Sequence, residues 1–570
     1  MAGRRLPRMR TQHGGDAVNE EADGARKDSG AFQPLVHRNF REIWLASLMS
    51  NLALLITGVG AAWAMTLLTD SAQMVALVQS ALMLPFLFLA MPAGAIADSY
   101  DRRRVAILAM GGGALSNLLL LGVALSGLLT PWLLLALCFL VGIFNTMFTP
   151  SWQSAVSEQV PAEDLPRAVA LNAISFNIAR SFGPALGGAI VAVIGAAAAF
   201  AASVLLYVPM IAAFWRWKRV PDTPRLPPER VAGAIVSGIQ YIGHSGAMRA
   251  VIVRSFLYCA GASSVAGLLP LISKLHLQGG PLVFGLLLAC YGGGAVIGGV
   301  FLQRLRSMLG HSPTENGVAL TAAAIIALAF AGSLWLAAPI LIFLGAVWTQ
   351  ALTTLNVAVQ TGAPRWVSGR ALAGFQATAA GGFALGSWVW GYVVEESSLT
   401  AAMIASGVAL MAFSIAGRLM KSPADIPNPA AARYDPADPE IDLALTGRSG
   451  PIAIQVVHIV PEEDARGFYD IMLEIRRIRR RNGASAWSLA RDIADARRWI
   501  ERFHCPTWHD YLRHRTRLTA EELGLLSVIA ERYGENGQLR MTRLLERPVG
   551  SVRWQADTPD RGELPATLAP

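Results

Sequence analysis

Apolar runs recur from about residue 43 to residue 418, each closed by a short polar break. A helix rises 1.5 Å per residue, so about 20 apolar residues cross the hydrocarbon layer of a bilayer. A helix satisfies its own backbone there, as an isolated strand cannot. The runs predict membrane helices near 43–68, 73–97, 105–126, 131–150, 168–194 and 197–215, then near 250–274, 283–303, 317–336, 339–361, 371–394 and 400–418. A polar stretch containing Lys218, Arg219, Asp222, Arg225, Glu229 and Arg230 separates the two sets. The expected division is a disordered tail at 1–38, a first six-helix half at 39–216, a central loop at 217–248, a second half at 249–421, a linker at 422–450, a small folded domain at 451–548 and a disordered tail at 549–570.

Charge gives these passes a direction. Lys and Arg collect in cytoplasmic loops of membrane proteins. With the N-terminus inside, Arg102 to Arg104, Arg167, Arg216 to Arg230, Arg249, Arg304, Arg306, Arg365, Arg370, Arg418 and Lys421 fall on inside loops, against only Lys274 outside. A wrong helix count would scramble that asymmetry, so both termini are expected in the cytoplasm and the chain in the inner (plasma) membrane. The basic start (Arg4, Arg5, Arg8, Arg10) lacks the short apolar region and cleavage site of a signal peptide. The chain is 53% hydrophobic and 15% charged, far below the charged share of a soluble domain. Cys138, Cys259, Cys290 and Cys505 form no close pair, which argues against disulfides or a zinc site. No P-loop, metal set, catalytic constellation or cofactor motif stands out, and nothing suggests nucleic-acid binding.

The two halves carry a faint repeat. Arg167-Ala-Val-Ala opens the fifth pass and Arg370-Ala-Leu-Ala the eleventh. Gly183 and Gly188 match Gly386 and Gly391 at the same offset of 203 residues. Parallel repeats related by an axis along the membrane normal are a known transporter plan. Beyond the linker, Ile452-Ala-Ile-Gln-Val-Val reads as a strand. A helix follows with Phe468, Ile471, Met472, Ile475 and Ile478 on one face. Strands near 484–491, 498–505 and 538–545 and helices near 507–515 and 519–533 complete a β-α-β-β-α-β order, the ferredoxin-like plan. The arginines at 476, 477, 479, 480 and 481 read as a solvated face, with anionic lipid headgroups as the alternative.

The turn after the second pass reads Gly94-Ala-Ile-Ala-Asp98-Ser-Tyr-Asp101-Arg102-Arg103-Arg104. It resembles the loop signature of the major facilitator superfamily, with Asp101 where the family's second glycine stands. Asn172-Ala-Ile-Ser-Phe-Asn177-Ile-Ala-Arg180-Ser-Phe-Gly183-Pro184-Ala-Leu-Gly187-Gly188 resembles the fifth helix of the transmembrane secretion effectors, the group that holds the enterobactin exporter. Phe148-Thr-Pro150-Ser-Trp152-Gln153 and Asn39-Phe-Arg-Glu-Ile-Trp44 fit the same group. The resemblance covers roughly residues 36 to 420. The folded tail resembles the dimeric α+β barrels of small monooxygenases. The fold class expected is therefore an all-α membrane protein of twelve helices in two six-helix halves, plus a C-terminal α+β ferredoxin-like domain.

The resemblance implies roles. Gly94, Asp98, Asp101, Arg102 and Arg103 would form a cytoplasmic gate, the alternative being arginines that only anchor topology. Arg180, about twelve residues into the fifth pass, would bind an anion or couple ions, or else make a structural ion pair. Asn51, Asn145, Asn172 and Asn177 would line a cavity or join helices. Gly183, Pro184, Gly187 and Gly188 would allow a bend and close packing. Trp388, Trp390, Phe375 and Phe383 could stack on an aromatic substrate, or pack against lipid. The fourth pass carries Asn145 and lacks the Arg of many proton-driven relatives. Acidic residues are read only at helix ends: Asp70, Asp98, Glu158, Glu395 and Glu396. The expected function is a secondary exporter of an amphipathic small molecule, siderophore or drug-like, working by alternating access with protons as coupling ion. A homodimer formed through the tail is a further expectation. The alternatives are an importer of the same fold and a membrane-anchored enzyme or sensor acting through the tail.

Overall fold

The computed structural model describes residues 32–156, 158–161, 163–217, 231–310, 312–364, 367–418, 439, 441–443, 445–518, 520–535 and 537–546. Six helices make the first half: α1 (Arg38–Leu68), α2 (Ala72–Ser99), α3 (Arg102–Leu125), α4 (Pro131–Val156), α5 (Leu165–Val193) and α6 (Ala196–Arg216). A helix the sequence pattern left as loop, α7 (Val231–His244), leads to the second half. There α8 (Gly246–Leu271), α9 (Pro281–Val300), the short α10 (Leu302–Met308), α11 (Pro313–Ala329), α12 (Leu334–Gly362), α13 (Ser368–Glu396) and α14 (Leu399–Arg418) follow. Among the described residues ten helices are long and apolar enough to cross a membrane. The other two passes depart for stated reasons. α11 has only 17 residues. α13 is rich in Gly, Ala, Ser and Thr because it is packed inside the bundle against α2 and α8.

Helix ends follow local chemistry. Ser71 caps α2 by accepting from the Met74 amide, and Asp101 caps α3 by accepting from the Arg104 amide at 3.0 Å. α1 starts at Arg38, earlier than the apolar run, because Asn39 to Trp44 are already helical. α11 starts at Pro313, and the turn at Ala331 to Ser333 ends the pass sooner than its hydropathy suggested. Prolines stand inside α2 (Pro85, Pro92), α4 (Pro150) and α5 (Pro184), a cost that neighbouring helices offset in a membrane bundle.

The apolar core is asymmetric along the bundle axis. At the end away from the Arg102–Arg104 turn, one cluster runs through both halves and includes Trp63, Val75, Leu134, Phe284 and Leu341. At the arginine-rich end the core splits. One cluster holds Ile43, Met110, Phe148 and Phe214 of the first half, and another holds Tyr241, Met248, Leu355 and Phe375 around α7 and the second half.

The C-terminal domain has β1 (Ile452–Ile459), α15 (Ala465–Arg481), β2 (Ser485–Arg491), β3 (Arg498–Cys505), α16 (Trp508–Thr516), α17 (Ala520–Tyr533) and β4 (Arg540–Leu545). The strands form one sheet in the order β2-β3-β1-β4, every pairing antiparallel. That is the ferredoxin-like order. The arginine run of α15 is not simply a solvated face. Arg479 is buried and paired with Glu501 at 3.1 Å, Arg476 lies over the Trp487 ring, and Arg481 pairs with Glu522. Helical spacing turns those positions toward the sheet and α17, while Arg477 stays exposed. α15 also packs on α7, where the Arg481 guanidinium sits 5.8 Å from the centre of the Tyr241 ring.

Candidate functional site

A cavity of about 310 Å³ lies between the halves, at the level where the core divides. The first half supplies Phe86, Met91 and Gly94 from α2, and Thr146, Thr149 and Gln153 from α4. The second supplies Arg370, Leu372 and Gln376 from α13, and α7 adds Ile235. Glycine is required at position 94 by no neighbour, since a β-carbon there would meet nothing within 4 Å; its face is open to the cavity. Gln153 and Gly369 are lining residues and are exposed, so the cavity reaches the surface at the arginine-rich end.

The opposite end is held shut by contacts across the halves. Lys274, after α8, donates to the Thr66 carbonyl at 2.7 Å and lies 3.9 Å from Asp70. Glu395 at the end of α13 accepts from the Ser71 hydroxyl at 3.0 Å and from the Gln73 amide at 3.3 Å. Trp63 stacks on Phe284 with ring centres 6.3 Å apart. Gly188 of α5 meets Gly285 of α9 so closely that a β-carbon on either would come within 2.7 Å of the other's Cα. Small residues let membrane helices approach this far.

The expected gate residues occupy one corner of the first half. Asp98 lies in the last turn of α2, and its side chain is outside the described residues. Arg102 donates to Glu158 at 2.7 Å, to the Ser154 carbonyl at 3.2 Å and to the Ala97 carbonyl at 3.4 Å. It thereby ties the ends of α2 and α4 to the start of α3. Arg103 donates to the carbonyls of Phe214 at 2.8 Å and of Trp215, at the C-terminal end of α6. A cation there meets the negative end of the helix dipole.

Arg180 stands at the seam of the halves with its guanidinium 5.5 Å from the centre of the Tyr291 ring of α9, a cation–π contact. It is not among the residues that line the cavity. Asn172 is buried, and Asn51, Asn145 and Asn177 are half-buried; none of the four lines the cavity. Gly183 packs on Leu55 and Gly187 on Ile56 and Val59 of α1, while Pro184 and Gly188 face α9. Trp390 donates to the Ala260 carbonyl at 2.7 Å and Phe383 packs edge-on to Trp348, so both serve packing.

Two features escaped the sequence pattern. The cavity's polar wall comes from Thr146, Thr149, Gln153, Gln376 and Arg370; the low hydropathy of the eleventh pass was the available signal. The second is a buried carboxylate. Glu315, in the first turn of α11, is 5% exposed and pairs at 3.3 Å with Arg254 of α8, itself 1% exposed. Glu315 stands at a helix end, two residues after α11 begins, and was not singled out in the sequence; it is buried because α8 and α14 cover it.

Comparison with known proteins places this geometry. The transmembrane secretion effector family matches residues 29–548. A staphyloferrin A transporter of Staphylococcus aureus is 26% identical over 261 residues, 44% of this chain and 64% of that protein, so under two thirds of that relative is covered. The enterobactin exporter EntS of Escherichia coli O1:K1 is 25% identical over 393 residues, 66% of this chain and 91% of that one. Among solved structures, a POT family transporter in complex with 5-aminolevulinic acid aligns at a TM-score of 0.56 and 11% identity, over 67% of this chain and 96% of its own. The nucleoside transporter NupG aligns at 0.52 and 15% identity, over 67% and 99%. At such identities these two establish the fold alone. The helices packed in two halves, the interhalf cavity and the family match lead to one conclusion: the chain belongs to the transmembrane secretion effector family of major facilitator transporters and is a multi-pass membrane protein.

Proposed function

We propose that this protein is a secondary exporter of the inner membrane with both termini in the cytoplasm. It moves an amphipathic small molecule outward by alternating access, with protons as the coupling ion. The observation that carries this reading is the asymmetry of the seam: the halves are joined by Lys274, Glu395 and the Gly188–Gly285 contact at one end, and parted by a cavity at the other. If the arginine-rich end is cytoplasmic, as the charge bias favours, the cavity faces the compartment from which an exporter loads. Rigid halves rocking about such a site exchange the open end.

The two siderophore-transporting relatives support a siderophore-like or drug-like cargo. Asp98, with Asp101, Arg102 and Arg103 beside it, is the proposed gate. Gly94 gives the gate helix an open face to the cavity. Arg180 is proposed to steady the seam in one state through Tyr291, and Asn51, Asn145, Asn172 and Asn177 to join helices near it. The division into halves at 39–216 and 249–421, a linker at 422–450 and a domain at 451–548 is kept as part of the proposal. The domain is read as a regulatory or dimerising module that acts on the bundle through α7.

The test is transport of candidate siderophores and amphipathic drugs in proteoliposomes with an imposed pH gradient. Wild type should accumulate at least one compound only when the gradient is present. Asp98→Asn should insert normally and abolish net transport, and a chain ending at residue 450 should alter the rate. Normal transport in Asp98→Asn would remove the gate role. Gradient-independent movement would remove proton coupling.

A further inference from the structure

We propose that the interhalf cavity takes an uncharged amphipath whose polar head both donates and accepts hydrogen bonds, an amide above all, and that Gln376 and Thr149 are the residues that read it. This inference rests on the reading of the cavity as the transport site and names the class of molecule it takes. Phe86 and Met91 of α2 and Leu372 of α13 give the cavity apolar wall, which suits an apolar body. Its polar wall includes Gln376 of α13 and Thr149 of α4, one from each half. Both are half-buried. Gln376 stands eight residues, about 12 Å, from the start of α13, and Thr149 seven residues, about 10 Å, from the end of α4. The two therefore meet the cavity at similar depth, inside its mouth.

What each can offer follows from the bonds it already makes. Thr149 donates its hydroxyl hydrogen to the Asn145 carbonyl one turn back, at 2.8 Å. That leaves the lone pairs of its oxygen as acceptors toward the cavity. Among the described residues the Gln376 amide has no hydrogen-bond partner, so its Nε2 hydrogens can donate to a cargo and its Oε1 can accept from one. Polar groups within a membrane bundle seek partners inside it, and the cavity is where Gln376 meets one. Arg370, also in the wall, is already engaged by the Ser237 hydroxyl at 2.8 Å and by a further interaction, so the head group is read without it. A cargo carbonyl accepts from Gln376, while the cargo N–H donates to Gln376 Oε1 or Thr149 Oγ1. A carboxylate, which has acceptors alone, sets them against the Thr149 lone pairs. A ketone leaves both protein acceptors unpaired. A site built to hydrogen-bond a donor rejects the analogue that lacks it.

The experiment uses purified full-length protein in detergent and three probes of matched shape: 2-naphthamide, 2-acetonaphthone and 2-naphthoate. Binding is read by isothermal calorimetry against titration into protein-free micelles. Wild type should bind the amide more tightly than either the ketone or the carboxylate. Thr149→Val should lower the amide's affinity by roughly threefold to tenfold, the range of one neutral hydrogen bond, and leave the ketone's in place. Gln376→Leu should weaken both, the amide by roughly threefold more than the ketone. Saturable ketone binding in both variants shows that each is folded around an intact cavity. Equal affinity for amide and ketone in wild type, or tighter binding of the carboxylate than of the amide, overturns the proposal. An amide preference that survives both substitutions overturns it too, as does the lack of saturable binding by any probe. The transporter reading is judged separately, by gradient-driven accumulation in proteoliposomes. A compound that accumulates there, beside any of these results, leaves that reading standing and removes only the amide-reading site.

Discussion

Arg102 and Arg254 show how differently two membrane-end arginines are used. Arg102 is partly exposed and spreads its donors over Glu158 and two helix-end carbonyls, so it braces the corner where α2, α3 and α4 meet. Arg254 is enclosed, with Glu315 and the Gly417 carbonyl as partners at 3.3 and 2.9 Å. A buried ion pair carries little net stability against an apolar replacement, but removing one member strands the other. Arg254→Ala is therefore expected to cost about 3–5 kcal/mol, whereas Arg254→Met with Glu315→Leu should be close to neutral. Thermal unfolding followed by size-exclusion chromatography checks this. A single variant as stable as wild type would contradict the pairing of Arg254 with Glu315. The residue scale is also where sequence reading fell shortest. Arg370, Arg167 and Arg180 are equally visible as letters, and the repeat even pairs two of them. Which one faces a cavity depends on helix rotation and on α7, neither of which is written in local hydropathy.

At the scale of elements, the passes were legible because each must bury or expose about 20 apolar residues to lipid. The ferredoxin-like strand and helix order was legible from its alternating periods. α7 was not, since Val231 to His244 follow a strongly polar stretch that reads as loop; Tyr241, bonded to the Gly362 carbonyl at 3.2 Å, and Ser237 explain its helix only once α12 and α13 are in place. The charged interior of the C-terminal domain was equally hidden. Burial disfavours charge on Glu501, yet Arg479 and the Trp487 indole, at 3.1 and 3.0 Å, hold its carboxyl down at about 2. Burial and the nearby Arg479 push His514 down to about 3 from 6.5. Both shifts act in one direction. The unfolded chain takes up a proton at His514 from pH 6.5 downward and at Glu501 from pH 4.5 downward, while the folded domain resists until about 3 and 2. Domain stability is thus full above pH 6.5 and falls as pH drops, by up to about 1.4 kcal/mol per pH unit for each group within its window. Protection factors of the β1 and β3 amides in the full-length protein, corrected for intrinsic exchange, should fall between pH 6.5 and 5, and His514→Phe should flatten that fall. Protection that is level from pH 7 to 5 in wild type contradicts the burial of a neutral imidazole.

Across the whole molecule, two six-helix halves meet along α2–α13 and α5–α9. Their apolar core is joined at one end and divided at the other. The C-terminal domain rests through α15 on α7, and α7 bonds Arg370, a cavity-lining residue, through Ser237. The central claim is that the halves rock so that the joined and divided ends exchange. The most direct measurement is a pair of electron–electron distance distributions in liposomes, with spin labels on Leu67 and Leu275 at the joined end and on Arg104 and Met308 at the arginine-rich end. Alternating access predicts two populations at each end. Changing pH or adding a transported compound should lengthen the Leu67–Leu275 distance as the Arg104–Met308 distance shortens. Distances that stay single and fixed under every condition, or that lengthen together at both ends, contradict the account.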